Sequence, residues 1–296
     1  MSPKPFTASV WRWPRSVLMT WYEAGIEVKG GYTRAIYTTP PPEVNAVLEF
    51  LLAGMQRVLG ETLLGVYLFG SLVHGDFEPE RSDLDVVAVL TLELDPSRFA
   101  ALDALHREIV QRFPQWTERL EVKYLSSASL KRFRTEPYPI AVISPGEPFH
   151  QFEGGRRFLL NFYEVRQGGA TLHGPPPATL IAPISRAEFI EVVQEEVQGW
   201  TVWIAEMHSV GSLGYGVVTL CRALYTCTTG AQTSKPQALA WAINALPEFG
   251  PLLEWAWKGY RANDSSTPSP ARAADVERFV KEVAHKVALL QSQDVF

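Results

Sequence analysis

"LFGSLVHGDFEPERSDLDVVAVL", residues 68–90, decides the reading of the chain. Two apolar runs suited to buried strands flank a polar loop that opens on Gly70-Ser71 and closes on Ser82-Asp83-Leu84-Asp85. Charge is disfavoured where a strand pairs and is buried, so two acids at the head of one need a purpose. In a strand, residues i and i+2 point to one face with Cα atoms roughly 6.5 Å apart. Asp83 and Asp85 can therefore converge on one hard cation, and Mg²⁺ is the ion commonly held by one or two carboxylates together with substrate phosphates. A third acid is wanted on a neighbouring strand. Glu121 answers, set between Leu120, Val122 and Tyr124 in "RLEVKYL". Three such carboxylates can hold two Mg²⁺ ions on an in-line phosphoryl displacement. At the front of the loop, Gly70 permits close backbone approach, and a helix starting there would aim free N–H groups and the Ser71 hydroxyl at phosphate oxygens.

The remainder of the chain bounds what such a site can serve. At 296 residues, two domains are expected, and 46% hydrophobic with 20% charged residues is an ordinary globular composition. The net charge is −5; residues 1–40 carry five basic and two acidic residues, which leaves −8 on the rest. An acidic body argues against a nucleic-acid groove, which needs a dense Lys/Arg surface, and suits a cationic small substrate. Cys221 and Cys227 share one apolar segment and read as reduced core thiols. No run approaches the roughly 20 apolar residues of a membrane span, and the N-terminus lacks the apolar core of a signal peptide, so a cytoplasmic protein is expected.

Along the chain, residues 1–40 mix Trp, Pro and Arg without a period and read as a mobile extension, with Trp11, Trp13 and Trp21 as a possible docking arm. Helical spacing follows from Val44 to Val58, then strands at 63–69 and 84–90, a helix from Pro96 to Phe113 behind the cap Asp95, and a strand at 119–125. The second half changes character. Arg186–Met207, Gly216–Thr226, Pro236–Leu246 and Asp275–Leu290 repeat apolar residues at helical intervals. The fold expected is a small mixed α/β (α+β) domain at 41–180 followed by an all-α bundle at 181–296.

Gly70-Ser71, Gly75 and Ser82-Asp83-Leu84-Asp85 resemble the signature of polymerase-β-type nucleotidyltransferases. "GGATLHGPPP" (168–177), "LCRALYTCTTGAQTSKPQALAWAINALP" (220–247) and "WAWKGYRAN" (255–263) are similar to the helical domain of the streptomycin/spectinomycin adenylyltransferases. The resemblance runs from Pro42 almost to the C-terminus. It implies an antibiotic-resistance enzyme that transfers AMP from ATP to a hydroxyl of an aminoglycoside or aminocyclitol and releases pyrophosphate; a monomer is expected. Asp83 and Asp85 would carry Mg²⁺, and Glu121, also in reach of the metals, would be the general base. Gly70, Ser71 and Ser82 would sit against the nucleotide phosphates. Arg222 and Lys235 would reach across from the helical domain to the triphosphate, with Tyr260 beside the nucleotide. On spacing alone, Arg222 is a surface residue and Lys235 a helix-start charge.

The acceptor half departs from that family. Its antibiotic-modifying members carry acids just before the "LCR" helix and a Trp after a "QF" element; here those positions read Ser212-Leu213-Gly214-Tyr215 and Gly154-Gly155. Each missing carboxylate removes a charge-assisted hydrogen bond worth ~1.5–3 kcal/mol. Glu195, Glu196, Glu206 and Asp264 are the acids left to compensate. Two rival readings follow: the same chemistry on another small-molecule or protein hydroxyl, or a non-catalytic ATP-binding sensor.

Overall fold

The pairing of strands explains where the acids sit. The structure, a computed structural model, describes residues 26–29, 32–35, 42–74 and 76–293. Strands β1 (Ile26–Lys29) and β2 (Tyr32–Ala35) form a two-stranded antiparallel hairpin. The rest of the 1–40 stretch, Trp11, Trp13 and Trp21 included, lies outside the described residues, as do Gly75 and the side chain of His74.

A six-stranded sheet carries the first half. Its strands are β3 (Leu63–Phe69), β4 (Leu84–Leu90), β5 (Leu120–Ser126), β6 (Tyr138–Ser144), β7 (Glu147–Gly154) and β8 (Ala170–His173), in the order β7-β6-β5-β4-β3-β8. Only β4 and β5 run parallel; the other pairs are antiparallel. Their parallel crossover needs a connecting helix. That is α2 (Pro96–Arg112), started by the Asp95 side chain, which accepts from the Arg98 amide at 2.8 Å. With α1 (Pro42–Leu59), it covers one sheet face and buries Val66, Leu68, Val86, Ala88, Val122 and Tyr124. The odd-numbered residues Tyr67, Phe69, Val87, Val89 and Leu125 bury a second core on the opposite face, against α3 (Leu159–Gly168) and α4 (Arg186–Trp203). The mixed sheet with helices, followed by a helical second half, is the architecture expected.

Three strands escape the sequence. β6 and β7 contain Pro139 and Pro148, which argue against strands. Pro139 is tolerated because it lies beyond the β5–β6 ladder, which runs from Val122–Ile143 to Tyr124–Ala141. β7 is an edge strand and needs no ladder hydrogen bonds on its outer side. β8 has four residues, too few for a period.

The second half adds α5 (Val210–Thr229), α6 (Lys235–Ala245), α7 (Gly250–Ala262) and α8 (Pro270–Gln293) around Val217, Cys221, Leu253, Ala256, Phe279 and Val283. Helix α5 starts six residues earlier than its apolar spacing indicates. Ser209 and Ser212 close a reciprocal capping box at its N-terminus. Helix α7, not anticipated, packs closely on α5: a Cβ on Gly214 would stand 2.4 Å from the Ala256 carbonyl oxygen, and one on Gly259 2.4 Å from Val210. Cys221 and Cys227 are unpaired thiols, and burial pushes both up to about 12.

One buried ring gives the fold a pH dependence. His106 on α2 is 2% exposed, its Nε2 lies 3.0 Å from the Tyr124 hydroxyl, and burial pulls its pKa down from 6.5 to about 4. The unfolded chain therefore takes up the proton first, so stability falls as pH drops from 6.5 to 4 and levels off below that. The loss reaches about 3 kcal/mol, at 1.36 kcal/mol per pKa unit. Urea titrations at pH 7 and pH 4.5 should show a stability difference about 2 kcal/mol smaller in His106→Gln than in the parent. Equal differences in the two proteins would mean the ring is not neutral in the fold.

Candidate active site

The site forms where β3, β4 and β5 end beside the helical half. Phe69 lies opposite Asp85, and Asp85 is in register with Glu121 across the parallel pair. One carboxylate oxygen from each of Asp83, Asp85 and Glu121 lies within 4.8 Å of the others. Burial raises the pKa of Asp85 well above the usual carboxylate range; Asp83, Glu121 and Glu164 add to the rise, and Lys123 opposes it. Asp83 is raised too, by burial and then Glu121, with Lys235 and Lys123 pulling down. Half-buried carboxylates crowded by like charge favour any cation that enters. The donor set, all hard oxygen, fits a divalent ion such as Mg²⁺.

Gly70 is dictated by this arrangement. Its φ is +71°, and a Cβ there would lie 2.0 Å from Asp85 Oδ2. Ser71 follows, and its buried Oγ has no hydrogen-bond partner, which leaves it for an oxygen-rich ligand. The helix expected after Gly70 is one turn, Ser71–His74, too short to offer a substantial dipole. The Ser71 hydroxyl is thus the unpaired polar group that this turn presents. Ser82 is engaged instead: its Oγ accepts from the Glu78 amide at 2.9 Å, and its carbonyl accepts from Arg119 Nε at 3.0 Å. Those bonds shape the loop that delivers Asp83.

The helical half supplies the opposing wall. Lys235 begins α6 and donates to the Tyr260 hydroxyl at 2.9 Å, with its Nζ 5.6 Å from the centre of the Tyr215 ring. Its charge is felt at Asp83. Arg222 donates to the Thr233 carbonyl at 3.2 Å and lies close enough to Lys235 to oppose its charge. Asp83, Asp85, Glu121, Gly70, Ser71, Ser82, Arg222, Lys235 and Tyr260, scattered over 191 positions from 70 to 260, thus gather around one cleft. Arg222 and Lys235, unremarkable by spacing, stand together there because the start of α6 folds back against α5, where Arg222 holds the Thr233 carbonyl.

Two contacts go beyond the sequence reading, in which Glu121 and Lys123 share one face of their strand. Lys123, buried beside the acids, makes an ion pair with Glu121 Oε1. Its signal was visible: a lone charge in an apolar strand, as for Glu121. The other is a clasp between the halves. Arg81 donates to the carbonyl oxygens of Tyr260, at 2.9 Å, and Arg261, and Glu78 pairs with the Arg261 side chain. Those carbonyls belong to the last turn of α7, and that of Tyr260 also accepts from the Asn263 amide at 3.2 Å.

The departures in the acceptor half have structural counterparts. Ser212 caps α5, Leu213 is buried, and Gly214 is held against Ala256. Glu195 is paired with Arg156, and Asp264 accepts from the Ser266 amide at 2.8 Å. Tyr215 is 43% exposed yet crowded: burial raises its phenol, Lys235 opposes and Glu121 adds. Its ring centre lies 6.2 Å from those of Trp200 and Tyr260.

Comparison with known proteins places these segments. Residues 56–140 match the family described as nucleotidyltransferase domain, and residues 179–286 match the aminoglycoside adenylyltransferase C-terminal domain. The aminoglycoside (3'') (9) adenylyltransferase of Shigella flexneri is 26% identical over 264 residues, covering 83% of this chain and 95% of the relative. The spectinomycin 9-adenylyltransferase of Staphylococcus aureus is 26% identical over 224 residues, covering 70% and 81%. A spectinomycin adenyltransferase from Enterococcus faecialis, crystallised with ATP and spectinomycin, superposes with a TM-score of 0.66 at 16% identity, over 82% of this chain and 98% of that one. That likeness bears on the fold alone. Among the described residues, no helix is long and apolar enough to cross a membrane. Over both segments, a nucleotidyltransferase domain followed by a C-terminal domain of this group, the chain resembles the aminoglycoside adenylyltransferases.

Proposed function

We propose that the protein transfers AMP from ATP to a hydroxyl of an aminoglycoside or aminocyclitol antibiotic. The observation that carries this reading is the convergence of Asp83, Asp85 and Glu121 on adjacent strands, faced by Lys235 across the cleft. Asp83 and Asp85 would hold Mg²⁺, with Glu121 in reach, and two ions suit the expected chemistry. When bound, Mg²⁺ stabilises charge on the phosphoryl oxygens. Glu121 takes the proton of the acceptor hydroxyl as its oxygen bonds to the α-phosphorus, and the bond to the β-phosphate oxygen breaks to release pyrophosphate. Lys235 and Arg222 offset the charge that builds on the leaving group. Ser71 bonds a phosphate oxygen, Gly70 allows its approach, Ser82 fixes the loop, and Tyr260 orients Lys235 beside the nucleotide.

The division into 41–180 and 181–296, with residues 1–40 as a separate extension, belongs to the same reading. The sheet ends at His173, and from Arg186 onward the described residues hold helices and loops. A monomer working in the cytoplasm without nucleic acid is proposed with it, supported by the acidic body of the chain.

Pyrophosphate release from Mg-ATP, measured with streptomycin, spectinomycin and other aminoglycosides, tests the function. Drug-dependent turnover, lost in Asp85→Ala, is expected. Tight Mg-ATP binding without drug-dependent turnover would move the acceptor to another class of hydroxyl. Failure to bind Mg-ATP would overturn the reading.

A further inference from the structure

Lys123 is the one residue of the carboxylate cluster that the chemistry above leaves unused. It is 2% exposed, and its Nζ pairs with Glu121 Oε1. The same nitrogen sits 5.1 Å from the centre of the Phe69 ring, a second favourable contact for a buried cation. Its backbone is in register with Val87, one pleat beyond the Asp85–Glu121 pair. Lysines are almost never fully buried unless paired, and this one is sealed beneath the cluster by the sheet and Phe69. Its charge acts on Asp83 and Asp85 as well as on Glu121.

We propose that Lys123 is a positioning residue whose ammonium holds Glu121 by Oε1 and, as a fixed positive charge, limits the nucleotide-free protein to one divalent ion, on Asp83 and Asp85. This rests on the reading of the site as a Mg-ATP site. The three carboxylates and Glu164, offset by the ammonium groups of Lys123 and Lys235, leave two net negative charges, which one divalent ion balances. A second ion needs the negative charge that the triphosphate brings. Glu121, tied through one oxygen, keeps Oε2 for the acceptor's proton rather than for a metal.

Mn²⁺ titration of the full-length chain without nucleotide, followed by electron paramagnetic resonance, tests this. The parent should bind a single Mn²⁺. Lys123→Met keeps the length of the stem and removes the charge; it should gain a second site or bind at least about tenfold more tightly, the size of effect one charge within ~4–6 Å has on a carboxylate's proton affinity. It should also lower kcat while leaving KM for ATP within about threefold, because it releases Glu121 and not the nucleotide. Lys123→Arg should restore the single site. Two equivalent Mn²⁺ sites in the parent, or unchanged stoichiometry and affinity in Lys123→Met, would overturn the proposal. If Lys123→Met does not fold, the double variant Lys123→Met/Glu121→Gln removes the pair together and leaves no lone buried charge; it should still bind one Mn²⁺, and binding none would equally overturn it. Metal counting needs no drug turnover, so a parent that binds one Mn²⁺ but modifies no acceptor would fault the proposed reaction and not Lys123.

Discussion

Asp85→Asn should abolish turnover and, in metal-free buffer, make the protein more stable than the parent. Two opposite signs are expected because the residue holds an ion in one state and suffers like charge in the other. With the ion present, losing a charged ligand at the reacting phosphoryl group should cost on the order of 10³-fold or more in kcat, about 4 kcal/mol of transition-state stabilisation. Without it, the Asp85 carboxylate is desolvated and pressed by Asp83, Glu121 and Glu164, with Lys123 opposing them. The neutral amide removes that cost, and relief of about 1 kcal/mol raises Tm by roughly 2–4 °C for a chain of this size. Mg²⁺ should then raise the parent's Tm in proportion to the logarithm of its concentration and leave the variant's nearly unchanged. Calorimetric scans with and without MgCl₂ separate the outcomes. A variant that keeps its Mg²⁺-dependent shift would remove Asp85 from the metal site.

The second large effect is expected at Gly70, with Gly146 as its control. Both residues have left-handed φ, +71° and +80°. A side chain in that region costs roughly 1–2 kcal/mol wherever it occurs. They differ in surroundings: a Cβ on Gly146 meets nothing within 4 Å, whereas one on Gly70 meets Asp85 Oδ2 at 2.0 Å. Gly146→Ala should therefore lose about 1 kcal/mol of stability and no activity. Gly70→Ala must also displace the Asp85 carboxylate, and misplacement of a reacting group by about 1 Å costs on the order of 10²-fold. Matched stability losses with activity lost only in Gly70→Ala would show that the glycine serves the carboxylate. Equal retention of activity would show that the loop accommodates the methyl elsewhere.

Much of this site was legible because its residues violate local rules. Asp85 and Glu121 are acids in strands, Asp83 stands one residue before a strand, and Gly70 interrupts an apolar run. Lys123 breaks the same rule and was equally readable. Arg222, Lys235 and Tyr260 break none: each is a polar residue on or at the start of a helix, and only the packing of α5, α6 and α7 on one another brings them together. The family resemblance named them, since periodicity carries no information on tertiary direction. The same limit applies to the fold. Long periodic segments such as 42–59 and 186–203 show themselves, while β7 and β8 are strands only because neighbours pair with them.

The clasp between the halves has a consequence for how the sequence can drift. Glu78 and Arg261 meet through side chains although 183 positions separate them. Exchanging their charges together preserves the contact, while reversing either alone sets like charges face to face. Substitutions at 78 and 261 should thus be inherited as a pair. Arg81 is under a different constraint, because its acceptors are main-chain carbonyls that every residue carries. No partner's mutation can compensate for its loss, so a lineage must keep it on its own account or let the two halves part.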